Sequence, residues 1–464
     1  MSSADPIGPP PSASGSARAL PAPGARPVIG HLGAFLASPL AFLRGLPAHG
    51  GLVEVRLGPQ RLLVVCDPAL TREVLTHDRV FDKGGVLFDR MRDVAGNGLV
   101  TCPARDHRRQ RRLIQPAFHR AQLPRYAETM TERIDAVVSS WQPGRRIELV
   151  GATRSVAAEV LLSTIFGTAL AAEAVRSLDE DLQTLLTAVM RRAVLPAPLA
   201  ALPTPGNLRY RRAGRRARET MAELVRTLRR NPGDGMFGAL LAAGDASGGA
   251  DGTDRPFTDE ELVDQAVTMY AAGTETTAGV VCWALYLAAR DREAGRRLTE
   301  ECRSVLGTRP AGWDDLPRLR YARQTLLEAV RFKPPGWLLT RTAAADATLG
   351  PYRVPRGSTL AYSPYVLAQD PALHERPERF DPDRWAPEAG GPAVPAAAFG
   401  GGARKCIGDE YGLTEGVLML ATITARWDLH IGPHDLKRPH LPSLTLNPTR
   451  LTATVTRPRG PAAG

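Results

Sequence analysis

A mainly α-helical fold with a minor β region is what this chain of 464 residues predicts, on three observations. Helical patterning dominates from roughly Pro68 to Leu240, broken by loops that carry Gly and Pro. A capping box, Thr258-Asp259-Glu260-Glu261, opens a second helical pattern that runs to about Arg290. Strand-like pieces are short, and no internal repeat is evident.

In chain order, Met1 to about Arg26 is rich in Pro, Ala, Ser and Gly and lacks the apolar stretch of a signal peptide, so residues 1–26 read as a disordered leader. Val53–Leu57, the turn Gly58-Pro59-Gln60 and Arg61–Val65 read as a β-hairpin. Gly244 to Pro256 reads as a flexible connection. The helix opened at Thr258 would be roughly 50 Å long, enough to cross a domain. A shorter helix is expected around Tyr321 to Phe332. Short strands and proline-rich irregular structure fill Arg341 to Ala398, and a last helix runs from about Ile407 to Ala425.

Hydrophobic and charged contents of 43% and 23% describe an ordinary globular protein, and no apolar run reaches transmembrane length. A cytoplasmic protein without a membrane anchor is expected. The net charge of +11 suggests nucleic acid as a partner, but only four of the 59 basic residues are lysine (Lys83, Lys333, Lys405, Lys437). That usage matches the arginine preference of a GC-rich genome, and no aromatic-interleaved basic motif accompanies it, so no nucleic-acid partner is expected. Two clusters, Arg108 to Arg112 and Arg211 to Arg216, could steer an acidic protein. The five cysteines show neither CxxC nor metal-finger spacing, which points to reduced thiols and leaves a single-cysteine metal site open.

The stretch richest in chemistry is Phe399-Gly400-Gly401-Gly402-Ala403-Arg404-Lys405-Cys406-Ile407-Gly408. Glycines permit close backbone approach and can aim amide N–H groups at one sulfur, which favours a thiolate. Arg404 offers a fixed cation for a carboxylate-bearing cofactor. The other reading is a buried core thiol beside a turn.

Phe399, Gly402, Arg404, Cys406 and Gly408 together resemble the haem-binding signature Phe-x-x-Gly-x-Arg-x-Cys-x-Gly of the cytochrome P-450 family, the haem-thiolate monooxygenases. The resemblance covers nearly the whole chain beyond Pro27, and a single domain over 27–464 follows from it. It implies the cytochrome P-450 fold, with the long central helix crossing over the haem, and haem b (iron protoporphyrin IX) held by Cys406 as metal ligand. Ala271-Ala272-Gly273-Thr274-Glu275-Thr276-Thr277 is similar to the family's oxygen-activation motif. On that likeness Gly273 makes a platform for the cofactor, and Thr276 and Glu275 relay protons. Glu328-Ala329-Val330-Arg331 resembles the family's Glu-x-x-Arg pair, completed by Arg384 and bracing the loop of Cys406. His107, Arg111 and Arg341, with Arg404, match ligands of the haem propionates, and Phe399 is carried over as a cofactor contact.

The resemblance further implies O2 as co-substrate, with ferredoxin and ferredoxin reductase supplying electrons to a basic face where Arg108, Arg109, Arg112 and Lys405 are candidates. A monomer is expected. The pocket regions that the family suggests offer Phe88, Met91, Leu99, Met190, Trp337 and Leu338, favouring an apolar small-molecule substrate. The His107–Phe118 run and the loop Asp82–Arg90 look most like the bacterial terpenoid oxidases of the pentalenene oxygenase type. That likeness implies stepwise methyl oxidation of a sesquiterpene hydrocarbon in terpenoid antibiotic biosynthesis. The alternatives are a hydroxylase of a polyketide, steroid or fatty acid, a non-oxygenating haem-thiolate isomerase, and a basic nucleic-acid-binding protein.

Overall fold

The computed structural model of the chain describes residues 17–167, 172–195, 202–233, 235–246, 255–389, 396–432, 434–437 and 442–458. Its strands are β1 (Leu20–Pro21), β2 (Leu52–Leu57), β3 (Gln60–Val65), β4 (Phe81–Asp82), β5 (Arg146–Glu148), β6 (Leu339–Ala343), β7 (Ala347–Leu349), β8 (Tyr352–Val354), β9 (Thr359–Tyr362), β10 (Asp428–His430), β11 (Leu436–Lys437) and β12 (Arg450–Thr456). The largest sheet has the order β1-β2-β3-β9-β6-β4. The expected hairpin is its β2–β3 pair, antiparallel from Leu52↔Val65 to Leu57↔Gln60, and Gly58 turns it at φ +59°.

The ordered chain begins earlier than the sequence suggests. Residues 1–16 lie outside the described residues, but 17–26, read as part of a disordered leader, are tied to the sheet. β1 pairs parallel with β2, and Ala22 is buried with its N–H on Glu54 O at 2.8 Å. Proline is tolerated because β1 is an edge strand, so Pro21 removes no central ladder bond.

Helices form the larger part. The central helix, Asp259–Arg290, is 32 residues long, about 48 Å at 1.5 Å per residue. Its start is the expected capping box: Thr258 Oγ1 accepts from Glu261 N at 3.2 Å, and Glu261 Oε2 accepts from Thr258 N at 2.9 Å. Asp291 ends it and caps the next helix, Arg292–Leu306, accepting from Glu293 N and Ala294 N. The central helix packs against Leu149–Ile165, Pro205–Arg230, Arg320–Phe332 and Asp409–Arg426. Leu149–Ile165 buries most of its residues and leaves one less buried stripe, Ala152, Ser155, Glu159 and Ser163, at helical spacing. The helices expected at 321–332 and 407–425 are Arg320–Phe332 and Asp409–Arg426. Of the expected flexible connection, 247–254 falls outside the described residues, while Gly244, Asp245 and Ala246 end the helix Met236–Ala246.

Candidate active site

An internal cavity separates the cysteine segment from the central helix. Thr268, Met269, Ala272, Gly273, Thr276 and Val280 form one wall, a stripe at helical spacing. Cys406 faces them with Phe399, Ile407 and Gly408, and its side chain is reachable from within the cavity although protein surrounds it. Gly273 lies on this wall, and a Cβ there would also lie 2.3 Å from Leu161 Cδ1, so its missing side chain makes room for Leu161, another wall residue.

The cysteine segment is held from several directions. Gly402 has φ +60°, and a Cβ on it would lie 2.4 Å from Leu75 O, so only glycine allows this close approach to the helix Pro68–Thr76. Cys406 N donates to Phe399 O at 2.8 Å, and Arg111 Nη1 donates to Lys405 O at 2.6 Å. Burial pushes the Cys406 thiol up. The Gly408 amide, Arg111 and Lys83 oppose that shift by favouring the thiolate, while Asp409 adds to it.

The helix Arg320–Phe332 carries a buried ion pair that ties it to residues 368–385. Arg331 Nη2 and Nε donate to the two oxygens of Glu328 at 2.7 and 2.8 Å, and both side chains are fully enclosed. Arg331 also reaches the carbonyls of Ala368, Pro377 and Arg379. Glu328 accepts from Trp385 Nε1 and Asp381 N, and Arg384 Nε approaches it at 3.6 Å. Nearly every charge-bearing atom of the pair therefore has a partner, the condition under which a buried pair is tolerated.

One edge of the cavity is cationic. His107 and Arg111, one turn apart on Ala104–Ile114, line it together with Arg404 and Lys83. Arg404 Nη1 donates to Cys102 O at 3.0 Å, and Nη2 pairs with Asp82 Oδ1 at 2.8 Å. Burial, reinforced by Arg404, Lys83 and Arg111, pushes His107 down to about 3. Lys83 donates to Val100 O at 2.8 Å, and burial, then Arg341 and Arg404, lowers it to about 7. Arg341 does not join the wall. It is buried in β6, donates to Thr340 O at 2.9 Å and lies 5.5 Å from the Tyr362 ring centroid, both contacts within the sheet. Lys83 is the residue that the sequence reading missed. Its position between Asp82 and Gly84, in the loop leaving β4, was the available signal.

No aspartate or glutamate lines this cavity among the described residues; its charges are cations at one edge, and the Cys406 sulfur is its one thiol, facing the Met269 thioether on the central helix. This donor set fits a flat, carboxylate-bearing iron macrocycle. Most of the rest of the lining, including Leu99, Leu161, Ile165, Met269, Val280 and Val330, is apolar, interrupted by the hydroxyls of Thr268, Thr276, Thr277 and Tyr411.

Thr276 lies on the cavity wall, its hydroxyl donating to Ala272 O at 2.7 Å. Glu275 does not. It is buried on another face, and Gln183 and Asn447 donate to its two oxygens at 2.7 and 2.9 Å. Neighbours on a helix diverge by about 100°, a consequence of 3.6 residues per turn. Of the expected pocket residues, Leu99 lines the cavity, whereas Phe88, Met190, Trp337 and Leu338 are buried in the core and Met91 packs against it. Trp337 stacks on Phe35 and donates to Ser443 O, which fixes it as scaffold.

A second cleft opens on the outer side of Ala104–Ile114, with Arg79, Arg105, Arg108 and Arg112 on its rim. Arg109 is absent from it. Its guanidinium pairs with Glu261 and lies over Phe257, at the start of the central helix. Arg109 is thus a structural tie, not part of the basic face for which it was a candidate. No helix among the described residues is long and apolar enough to cross a membrane.

Residues 21–455 match the model of the family Cytochrome P450. The chain is 43% identical to pentalenene oxygenase of Streptomyces avermitilis over 94% of this chain and 96% of that protein. It is 40% identical to cyclooctatin synthase of Streptomyces melanosporofaciens, covering 93% of this chain and 94% of the relative. It is also 39% identical to cyclooctat-9-en-7-ol 5-monooxygenase of the same organism, over 89% and 90% respectively. A crystal structure of a cytochrome P-450 heme domain superimposes with a TM-score of 0.81 at 25% identity, over 96% of this chain and 98% of that one.

Proposed function

The chain belongs to the cytochrome P-450 family and is a haem-thiolate monooxygenase, and we propose that Cys406 is its thiolate ligand and an apolar cyclic terpene its substrate. The observation that carries this is the cavity: one thiol that can ionise to a thiolate, one cationic edge, and largely apolar walls without a carboxylate among the described residues.

Cys406 would hold the iron, and His107, Arg111, Arg404 and Lys83 would hold the propionates, whose two carboxylates match the cationic edge. When bound, the haem supplies the dioxygen activation and C–H oxidation that side chains cannot perform. The chain's own work is binding, orientation and proton supply. Thr276 presents its hydroxyl to the cavity, and releasing Ala272 O frees that proton. Glu275, one residue away on the buried face, is the group that restores it.

The substrate reading rests on the apolar lining and on relatives named for pentalenene and cyclooctatin chemistry. A sesquiterpene hydrocarbon such as pentalenene, oxidised stepwise at a methyl group, is the first compound to offer. Electrons would arrive from a ferredoxin and its reductase, the ferredoxin docking at the cleft rimmed by Arg79, Arg105, Arg108 and Arg112.

Titration of the ferric holoprotein with terpene hydrocarbons, followed by turnover under labelled dioxygen, tests the reading. Loss of the iron-bound water on titration and incorporation of one labelled oxygen atom into a terpene are expected. Shifts only with a charged or strongly polar ligand would contradict the substrate class.

A further inference from the structure

Glu275 is held by two separate parts of the chain. Asn447 Nδ2 donates to its carboxylate at 2.9 Å and to its main-chain carbonyl at 2.7 Å. Gln183 Nε2, from the helix Ala172–Val194, takes the other carboxylate oxygen at 2.7 Å, and the Thr445 hydroxyl lies 3.4 Å from the first. Asn447 reaches the helix through a gap one turn on: a Cβ at Gly279 would lie 1.7 Å from Asn447 Oδ1. The segment carrying Asn447 is itself pinned. Trp283 Nε1 donates to Leu446 O and Trp337 Nε1 to Ser443 O, each at 2.9 Å. Leu446 N donates to Pro335 O at 3.2 Å.

We propose that Asn447 is the positioning residue of Glu275: its amide, seated in the gap at Gly279, fixes the acid on the face of the central helix from which it resupplies Thr276. The proposal rests on the reading of Glu275 as proton source. An amide suits the task because it donates without carrying charge, and one N–H₂ group serves both acceptors. The charged or titratable groups that feel Glu275 are Asp179, itself paired with Arg154, and the buried Cys282. None of them replaces the two bonds from Asn447.

The test uses the holoprotein and isosteric exchange. Asn447→Asp keeps the shape but sets a carboxylate against Glu275, and Glu275→Gln supplies a donor in return. Asn447→Asp should lower the thermal midpoint and raise the share of electrons lost as hydrogen peroxide. Glu275→Gln combined with Asn447→Asp should regain part of the midpoint, because donor and acceptor are exchanged, without regaining coupling, because the acid then stands on the segment of residue 447 and no longer on the central helix beside Thr276. A midpoint and coupling unchanged in Asn447→Asp would overturn the proposal, as would a double variant no more stable than that single one. Asn447→Ala, which removes the donor without adding charge, gives the same reading should Asn447→Asp fail to fold. Full coupling in Glu275→Gln alone would overturn the proton-source reading and the proposal with it. Restored stability in the double variant would then show that the contact exists and that the error lies in the role of the acid.

Discussion

Thr276 and Glu275, adjacent in sequence, face different environments: the Thr276 hydroxyl lies on the cavity wall, while the Glu275 carboxylate is clasped by Gln183 and Asn447 on the buried side of the same helix. On the proposed reading, an acid and a hydroxyl so divided would work in series across the helix. Thr276→Ala deletes the cavity-side member and one local bond to Ala272 O. A bond of that kind contributes about 1 kcal/mol, so folding should be nearly unaffected. Product formed per electron pair should fall and peroxide rise, measured together under steady turnover. Equal coupling in variant and parent would place the proton route elsewhere.

Lys83 gives a test of the cationic edge by pH. In the haem-free protein its amine sits at about 7, against an ordinary 10.5. Between those values the unfolded chain holds more protons, so haem-free stability should rise with pH across that window. Lys83→Met should flatten this rise and speed loss of haem to an acceptor protein. Urea titrations across the alkaline range check the first effect, and haem transfer checks the second.

His107 shifts in the same direction, to about 3 from 6.5. Its neutral form is the folded one, so stability should fall as pH drops from about 6.5 towards 3, where the unfolded chain takes up the proton. His107→Gln should reduce that acid-side loss in the haem-free protein. An unaltered acid-side slope would mean that His107 is not held neutral.

The Glu328–Arg331 pair is fully enclosed, and removing one charge strands the other. Glu328→Gln should cost about 3–5 kcal/mol by denaturant unfolding. The exposed Arg296–Glu293 pair offers the contrast: Glu293→Gln should leave unfolding unchanged, because solvent screens it.

Arg108 and Arg109 are neighbours with different work. Arg108 is exposed at the basic cleft, whereas Arg109 is bound to Glu261. Arg108→Glu should weaken ferredoxin binding, with a smaller loss at high salt where charges are screened. Arg109→Glu should instead lower thermal stability by setting like charges together at the start of the central helix. Binding curves at two ionic strengths and melting curves separate the two roles.

The capping box at Thr258 and the alternation of the β2–β3 hairpin are local signals, and the structure repeats both almost residue for residue. The glycine-flanked segment of Cys406 is equally local, and the structure sets its sulfur at the cavity. What could not be read was direction. Nothing in the sequence tells that Glu275 turns from the cavity while Thr276 faces it, that Arg341 meets Thr340 O and Tyr362 within the sheet, or that Arg109 folds back to Glu261. Composition misled at residues 17–26, where backbone pairing outweighs a proline- and alanine-rich sequence. Lys83 was hidden for a related reason: a single lysine in a loop carries no periodicity, and only tertiary packing brings it to the cavity beside Arg404.

The central claim is that Cys406 binds the haem iron as a thiolate, and the ferrous carbon monoxide spectrum of Cys406→Ser tests it most directly. The parent holoprotein should show the red-shifted Soret band from which the family takes its name, and the variant should lose it while the polypeptide remains folded. Retention of that band in Cys406→Ser would contradict the assignment.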